Sequence, residues 1–467
     1  MNGRPILALR SAVHFPLLSA ALMAPLLGCE IQLARTEPDD PEVLSQNPFG
    51  SGNSFAGPSS GGSMPVPVPP FRDSEAYGAP GTNVPVEDRQ PWMEYRELIA
   101  IDPDLVQGPL ASNAEEDAPL SFRSQMQWLS ASTRDPLAFV RSWFDQWLTA
   151  NATAPELPEV AARPGAGRVL IDSWLGGSDA AAPDAGYVPR FTPSWADAPF
   201  VLIAIVNRVD LASAACDGFA GELRYIYSAL DVASGEPLDM TVIVEIPYPT
   251  LRPAAEWARA WQDIGELPPG ASYASGIEEL AREVQSEADP LRVRVRTNEI
   301  ALGSRAAPGW EMREFHTRII DAELALSQVP LESTPRADAD PAALAAHVIQ
   351  RSDEILQGPV ALPMELRAGA AAIPTPDFSW SVLGVSDRLR RAFSVETCNG
   401  CHGGDTPTLP FRHVAPGRTR TSRAQLSRFL YDPEAQSDEL RRRTDALAAL
   451  ANIQCAPAEP ASPYTGL

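Results

Sequence analysis

The sequence predicts an α+β protein, with a sheet-rich central domain, flanking helices and a small, mainly helical C-terminal module. Between about Pro199 and Leu331 apolar and polar residues alternate with the period of two that is typical of strands. On both sides of this region apolar residues recur three and four positions apart, which is typical of helices. The predicted segments are a signal peptide at 1–28, a disordered tether at 29–91, a helical region at 92–198, an antiparallel sheet domain at 199–335, a helix and connector at 336–384 and the C-terminal module at 385–467.

The N-terminus has the pattern of a secretory signal. Arg4 and Arg10 form a positive region before a mostly apolar stretch, Ser11–Leu27. This stretch is short for a membrane span. It ends in Leu-Leu-Gly-Cys at 26–29, which resembles the bacterial lipobox, and this resemblance implies lipidation of Cys29. An ordinary signal with an incidental cysteine is the alternative. Because Glu30 and not Asp follows the cysteine, we expect an outer-membrane lipoprotein of the cell envelope, facing the periplasm or the surface.

The segment from Glu30 to about Gln90 is rich in Pro, Gly, Ser and acidic residues. Such a composition cannot bury enough apolar surface to offset the entropy of ordering it. About 60 flexible residues have a root-mean-square reach on the order of 45 Å. The segment is therefore predicted to tether the folded body to the membrane, which is the first expected partner.

Charge excludes several classes of function. The net charge of −23 argues against nucleic acid and against an anionic lipid surface, since both require a positive footprint. No lysine occurs among the 467 residues, so all 37 basic residues are arginine. Chemistry that needs a Schiff-base lysine, a phosphate-loop lysine or a Ser-Lys dyad is therefore excluded.

The helical region has a clear start signal. Asp135 followed by Pro136 predicts a helix N-cap and first turn, after which apolar residues recur at helical spacing. Trp143 and Trp147 lie one turn apart in this helix. They are suited to line a ligand or haem pocket, but rings of this size are most often core, and a core role is the favoured interpretation.

Five runs predict strands of the sheet. Phe200–Val206 is continuously apolar, as in a strand buried on both faces. Glu222–Val232 and Asp239–Pro247 flank Ser-Gly and predict a hairpin. Leu291–Arg296 alternates apolar residues with arginine, so it predicts one apolar and one arginine face. Trp310–Ile320 is also strand-like.

Polar groups follow or interrupt these apolar runs. They are Asn207, Arg208, Asp210, Glu222, Arg224, Arg296, Asn298 and Glu299. One interpretation collects them into a carboxylate and guanidinium site that binds a polar ligand. The other, which is favoured, is that arginine and carboxylate pairs at the rim satisfy one another. No Ser-His-Asp order, HExxH or glycine-rich phosphate loop occurs in this region of the sequence.

Helices are predicted again in the C-terminal third. Asp340-Pro341 begins one that extends to about Gln357 and carries His347 beside its apolar face. Ser386 and Asp387 precede a short helix, Ser422–Leu430 has helical spacing, and a last helix is marked by leucines. Those leucines are Leu440, Leu447 and Leu450.

Residues 398–402 read Cys-Asn-Gly-Cys-His, a CxxCH pentapeptide. Two cysteines three positions apart lie on one helical turn, where both thiols reach the vinyl groups of one haem while the next histidine meets the iron. The motif therefore predicts covalent haem c on Cys398 and Cys401, with His402 as the proximal iron ligand. A zinc site with His413 and a CxxC disulfide are the alternatives.

The order helix, CxxCH, loop, helix and terminal helix resembles that of c-type cytochrome domains, over about 70 residues. The resemblance implies a distal methionine, but none follows Met364. His413 is then the candidate distal ligand, with His316, His347 or a five-coordinate iron as alternatives. Arginines near this loop are predicted to pair with haem propionates or to dock an acidic partner, or to be a solvated face. They are Arg412, Arg418, Arg420, Arg423 and Arg428.

Five cysteines occur, and three of them are assigned above. The remaining two, Cys216 and Cys455, are candidate disulfide partners in an oxidising compartment, although two separate buried thiols are the alternative.

Together these features predict a membrane-anchored, extracytoplasmic mono-haem protein that transfers electrons to an unknown redox or envelope partner. It is expected to be a carrier or binding protein more than an enzyme. A haem-free lipoprotein that binds a ligand or envelope partner through the sheet domain is the first alternative, and a haem peroxidase or oxygen sensor is the second.

Overall fold

Eight strands form one antiparallel sheet at the centre of the protein. The structure is a computed structural model and describes residues 91–130, 135–155, 157–163, 165, 168–176, 193–300, 309–373, 378–406, 408, 411–434 and 438–455. The predicted signal peptide, almost all of the tether and Cys29 lie outside these residues. The described strands are β1 (Ile99–Ala100), β2 (Phe200–Arg208), β3 (Glu222–Leu230), β4 (Pro237–Pro247), β5 (Arg294–Ile300), β6 (Trp310–Ile320), β7 (Glu323–Val329), β8 (Leu331–Pro335), β9 (Arg367–Ala368), β10 (Ala371–Ile373), β11 (Val414–Ala415) and β12 (Gln425–Leu426).

The sheet follows chain order for most of its width. Its strand order is β1-β2-β3-β4-β5-β6-β10, and β7 pairs with the other end of β6. Strands β8 and β9 form a separate pair, as do β11 and β12. The predicted α+β class is therefore confirmed, and so is the hairpin of β3 and β4.

Short and medium helices precede, interrupt and follow the strands. The described α-helices are α1 (Pro91–Glu94), α2 (Pro103–Val106), α3 (Phe122–Leu129), α4 (Pro136–Asp145), α5 (Ala254–Glu266), α6 (Ala271–Glu287), α7 (Pro341–Gln350), α8 (Ser352–Ile355), α9 (Asp387–Val395), α10 (Cys398–Cys401) and α11 (Glu439–Ala451). Asp135 caps α4 as predicted, because its carboxylate accepts from the N–H groups of Leu137 and Ala138. No helix of the described residues is long and apolar enough to cross a membrane.

Alternation along the strands gives the sheet two unlike faces. One row of directly paired residues is apolar and consists of Tyr225, Val244, Val295 and Phe315. The adjacent row is polar and consists of Arg224, Glu245, Arg294 and His316. Because successive side chains of a strand point to opposite faces, these two rows lie on opposite sides of the sheet.

Aromatic side chains from α3, α4 and the turn that follows α4 cover the apolar face. The rings of Trp143 and Trp147 lie 5.7 and 5.0 Å from the ring of Phe315. The ring of Phe122 lies 5.5 Å from that of Tyr227 on β3. Both tryptophans are buried in the main core, which confirms the core interpretation of this pair.

Three predicted elements have different bounds or type. Strand β5 was predicted to begin at Leu291. It begins at Arg294, because Pro290–Arg292 forms a 3-10 turn. The helix predicted from Pro341 to Gln357 is broken at Arg351, where the backbone leaves helical geometry (φ −107°, ψ 21°). The helix predicted over Ser422–Leu430 is wrong. Its backbone instead pairs with β11, as shown by the Ser427 N–H, which donates to the His413 carbonyl at 2.8 Å.

The C-terminal segment packs against the sheet and α5. Leu440, Leu447 and Leu450 of α11 are buried in the same core as the sheet. Cys216 and Cys455 are joined in a disulfide, with Cα atoms 5.3 Å apart and a sequence separation of 239. This bond holds the end of α11 to the loop that follows β2.

Candidate functional site

The CxxCH pentapeptide forms the short helix α10 and the residue after it. Thr397 caps the turn by accepting from the Gly400 N–H at 3.0 Å, and the Cys398 N–H donates to Thr334 Oγ1 at 2.9 Å. A Cβ at Gly400 would overlap the Ser394 carbonyl, so the turn can approach α9 this closely only with glycine there. These contacts fix the pentapeptide on the end of α9.

Both cysteines of the motif are free thiols. They lie one turn apart and line the same cavity. Burial raises the pKa of Cys401 to about 12 and also raises that of Cys398, so both stay protonated near neutral pH. The turn therefore offers two neutral thiols to whatever occupies the cavity.

His402 is held in one tautomer. Its Nδ1 lies 2.8 Å from the Phe411 carbonyl oxygen, which can only accept, so Nδ1 carries the proton. The ring stacks on Trp310 with centroids 5.1 Å apart. Burial lowers the pKa of His402 to about 4, so its imidazole is neutral and its Nε2 keeps a free lone pair. A histidine held this way is prepared to ligate a metal ion.

His413 lies beside His402, with ring centroids 4.8 Å apart. Its Nε2 is 3.2 Å from Cys401 Sγ and its Nδ1 is 3.0 Å from Ser427 Oγ. Because the thiol is protonated, Cys401 donates and Nε2 accepts. Burial, followed by the neighbouring His402, holds the pKa of His413 well below its usual range.

The other two candidate histidines are elsewhere. His316 lines the same cavity from β6, and its Nε2 lies 2.7 Å from Glu314 Oε1. His347 on α7 lines a separate, much smaller cavity. The structure thus brings His402, His413 and His316 to one cavity and leaves His347 apart.

A cavity of about 1070 Å³ lies between the polar face of the sheet, α10 and α11. Its size is at the upper end of the range for ligand sites in proteins. The motif contributes Cys398, Cys401 and His402 to its wall, and β6 contributes Met312 and Glu314. The predicted pentapeptide therefore opens onto a space that can hold a large ligand.

The floor of the cavity is a lattice of arginines and glutamates, here called the charged floor. Glu222 Oε1 accepts from Arg224 Nε at 2.7 Å, and its Oε2 accepts from Arg294 at 2.5 Å. Glu245 accepts from Arg296 Nη1 at 3.2 Å, and Arg296 Nε donates to Glu314 at 2.7 Å. The floor comprises Glu222, Arg224, Glu245, Arg294, Arg296 and Glu314.

A second ionic cluster lies where α11 meets the end of β2. Asp210 accepts from Arg208 Nε at 2.9 Å, and Glu439 accepts from Arg443 Nε at 2.9 Å. Arg442 joins them by donating to Glu439 at 2.7 Å and to Asp210 at 3.4 Å. Arg443 and Arg442 outweigh burial and hold the pKa of Glu439 at about 2. This cluster forms the wall of the cavity beside α11.

The polar groups singled out in the sequence separate into two sets. Arg208, Asp210, Glu222, Arg224, Arg296 and Asn298 all line the cavity. Asn207 Oδ1 instead accepts hydrogen bonds from the Val209 N–H and the Tyr248 hydroxyl. Glu299 forms an ion pair with Arg163. The predicted mutual pairing of arginines and carboxylates is confirmed, yet the pairs also surround a cavity.

Sequence reasoning missed several residues of the same walls. Glu245, Glu314, Glu439, Arg442 and Arg443 were not candidates. The two strand residues were detectable, because they stand opposite arginines in the period-two pattern. Those on α11 were not, since nothing in the sequence places that helix against the sheet.

The arginines predicted around the loop have other partners or are exposed. Arg412 pairs with Asp239 at 3.2 Å, and Arg428 pairs with Asp432 at 2.9 Å. Arg418, Arg420 and Arg423 are exposed. None of the five lines the cavity as the described residues define it.

No known family model, curated protein or solved structure significantly matches this chain. Within the described ranges, no group of three or more His, Cys, Asp or Glu side chains is placed to hold a metal ion. The chemistry of the site is therefore inferred from the two thiols, the two adjacent histidines and the cavity.

Proposed function

We propose that this protein is an extracytoplasmic, lipid-anchored mono-haem c-type protein that transfers electrons. The observation that carries the proposal is that one helical turn presents two free thiols and a neutral, oriented histidine to a cavity of about 1070 Å³. Covalent haem c needs these three groups at this spacing.

The residues present fit a covalently attached haem. Cys398 and Cys401 would form the two thioethers, and Nε2 of His402 would be the proximal ligand. The Phe411 carbonyl oxygen fixes the orientation of the His402 ring and increases its basicity as a ligand. Haem would supply one-electron redox chemistry at this turn.

His413 remains the candidate distal ligand, although its present contacts show what has to change. Its ring packs against His402 with centroids 4.8 Å apart, and its Nε2 accepts from the Cys401 thiol. For His413 to hold the haem together with His402, its ring would have to move away from His402 and its Nε2 would have to release the thiol.

One side of the His402 ring is packed against aromatic residues. Trp310 stacks on His402, and Phe411 stacks on Trp310 in a small apolar cluster. This packing would hold the proximal ligand rigidly, which suits an electron carrier. The predicted lipid on Cys29 and the predicted tether would keep this body near the membrane, where an envelope redox partner would meet it.

The proposal is tested by producing the full chain together with the haem attachment machinery. We expect a haem-stained band on a denaturing gel and a low-spin visible spectrum. Cys398→Ala with Cys401→Ala should abolish the stain. Leu251→Ala with Leu383→Ala is the control, because these two exposed side chains lie outside the cavity and their loss should leave the stain.

Absence of covalent haem from the unaltered chain would contradict the proposal and leave the haem-free binding protein as the explanation. Rapid carbon monoxide binding to the reduced protein, or peroxidase activity, would instead show an open sixth position and favour a sensor or peroxidase.

A further inference from the structure

The charged floor exposes guanidinium groups and hides carboxylates. Arg224, Arg294 and Arg296 keep 20, 29 and 22 % of their side-chain surface exposed, whereas Glu222 and Glu245 keep 0 % and Glu314 keeps 4 %. The same holds where α11 forms the wall, since Arg442 is more exposed than its partners Asp210 and Glu439. Although the charges balance in number on the floor, the surface that meets the cavity is cationic.

The exposed guanidiniums also retain unused donors. Nη1 of Arg224, Nη1 of Arg294 and Nη2 of Arg296 make no hydrogen bond to any residue that the structure describes. Each arginine is nevertheless held in place. Arg224 and Arg296 each donate two other nitrogens to the glutamates beneath. Arg294 donates Nη2 to Glu222 and forms an ion pair with Glu245 through Nε at 3.2 Å. Guanidiniums fixed in this way lose little entropy on binding an oxyanion in the plane of the fork.

The spacing of these groups limits the ligand. Arg224 and Arg294 both contact Glu222, and all three arginines contact Glu245. Their guanidiniums therefore form one patch with three neighbouring unused nitrogens. Three cations this close together suit a molecule that carries several carboxylates better than an anion with a single charge.

We propose that the charged floor binds a small organic acid with at least two carboxylates, next to the CxxCH turn. The site shares the cavity with the proposed haem but does not depend on it. Arg296, Cys398 and His402 line the same cavity. A bound acid would therefore lie beside the CxxCH turn.

Calorimetric titration of the full chain with citrate and succinate tests this inference, with acetate as the single-carboxylate control. The titration is performed on the haem-loaded protein and on the haem-free Cys398→Ala/Cys401→Ala variant. We expect saturable binding of citrate or succinate to both and none of acetate. Arg294→Lys keeps the charge but loses the fork, so binding should weaken by about tenfold.

The matched control is Arg282→Lys, in an exposed pair with Glu278 on α6. It should leave binding unchanged, and thermal unfolding establishes that every variant is folded. If neither folded form binds a polycarboxylate, the inference is wrong. It is equally wrong if Arg294→Lys reduces haem attachment while no free acid binds, because the arginines would then serve the haem's own carboxylates. Acid binding to a chain that never acquires haem would support this inference and overturn the proposed function.

Discussion

The two faces of the central sheet are built from the same strands but differ in almost every physical respect. On one face Tyr225, Val295 and Phe315 are fully buried under the aromatic residues of α3 and α4. On the other, Arg224 and Arg294 stand above buried glutamates and border a large cavity. Neighbouring residues on one strand therefore lie on different faces, one in the apolar core and the other beside the cavity.

The pairing of glutamates with arginines on the polar face explains why the protein tolerates so many buried charges. A buried carboxylate is stable only when arginines surround it, and each glutamate of the floor has at least two such partners or a partner and a histidine. The apolar face supplies the stability that the charged face does not.

Phe315→Ala should destabilise the packing on the apolar face and leave the charged floor intact. The ring is fully buried against Trp143 and Trp147, so its removal is expected to lower the free energy of unfolding by about 3–5 kcal/mol. Urea denaturation measures the loss. Ile319→Ala on the same strand is the control, since Ile319 is 64 % exposed and should change stability little. An equal loss in both variants would contradict the division of the sheet into two faces.

Glu222→Gln should destabilise the charged floor and change how the protein's stability depends on pH. Although burial opposes ionisation, Arg224 and Arg294 hold the pKa of Glu222 at about 2. A lowered folded-state pKa stabilises the protein above the carboxyl's unfolded pKa of about 4.5, and this contribution is lost as pH falls towards 2. We expect a loss of about 3 kcal/mol at pH 7, because the arginines lose a buried partner.

The same variant should lose less stability than the unaltered chain between pH 5 and pH 3. Urea denaturation across this pH range measures the difference. Glu278→Gln, in the exposed pair with Arg282, is the control and should cost at most about 0.5 kcal/mol. A pH profile that Glu222→Gln leaves unchanged would show that this carboxylate is not held ionised by the floor.

Cys216→Ser with Cys455→Ser should loosen the cavity wall more than the apolar face. The disulfide closes a loop of 239 residues and holds the end of α11, which carries Arg442 and Arg443. Loss of such a link costs about 2 kcal/mol or more, largely through the unfolded state. Hydrogen exchange should increase in α11 and not in α4. Uniform exchange in both helices would contradict this role of the bond.

Single histidine changes should produce the smallest effects, confined to the spectrum. If haem is bound, His413→Ala should alter the low-spin spectrum, because His413 borders the cavity beside Cys401. His316→Ala should have a weaker effect, since its Nε2 is bonded to Glu314. His347→Ala is the control. Unchanged spectra in all three variants would exclude histidine as the sixth ligand.

Much of the fold was predictable because it depends on local signals. The period-two pattern of β3 and β4, the capping Asp135 and the paired tryptophans all reflect short-range geometry. The failure at Ser422–Leu430 has the opposite cause. Apolar residues there have helical spacing, but the backbone pairs with β11, a partner that spacing does not reveal.

The site was predictable only in part for the same reason. CxxCH carries its own geometry, because both thiols and the histidine belong to one turn. The neighbours of that turn come from distant parts of the chain, namely Trp310 on β6, Thr334 on β8 and Phe411 in the loop. No pattern within the pentapeptide identifies them.

Residues close together in the chain are enough to specify the CxxCH turn and the two faces of each strand. Export and the tether stay predictions. The tertiary structure adds that α11 and the sheet enclose one cavity, that His413 lies against His402, and that the arginines of the charged floor are more exposed than its glutamates. Those outcomes depend on which distant elements pack together, and packing is set by the whole core.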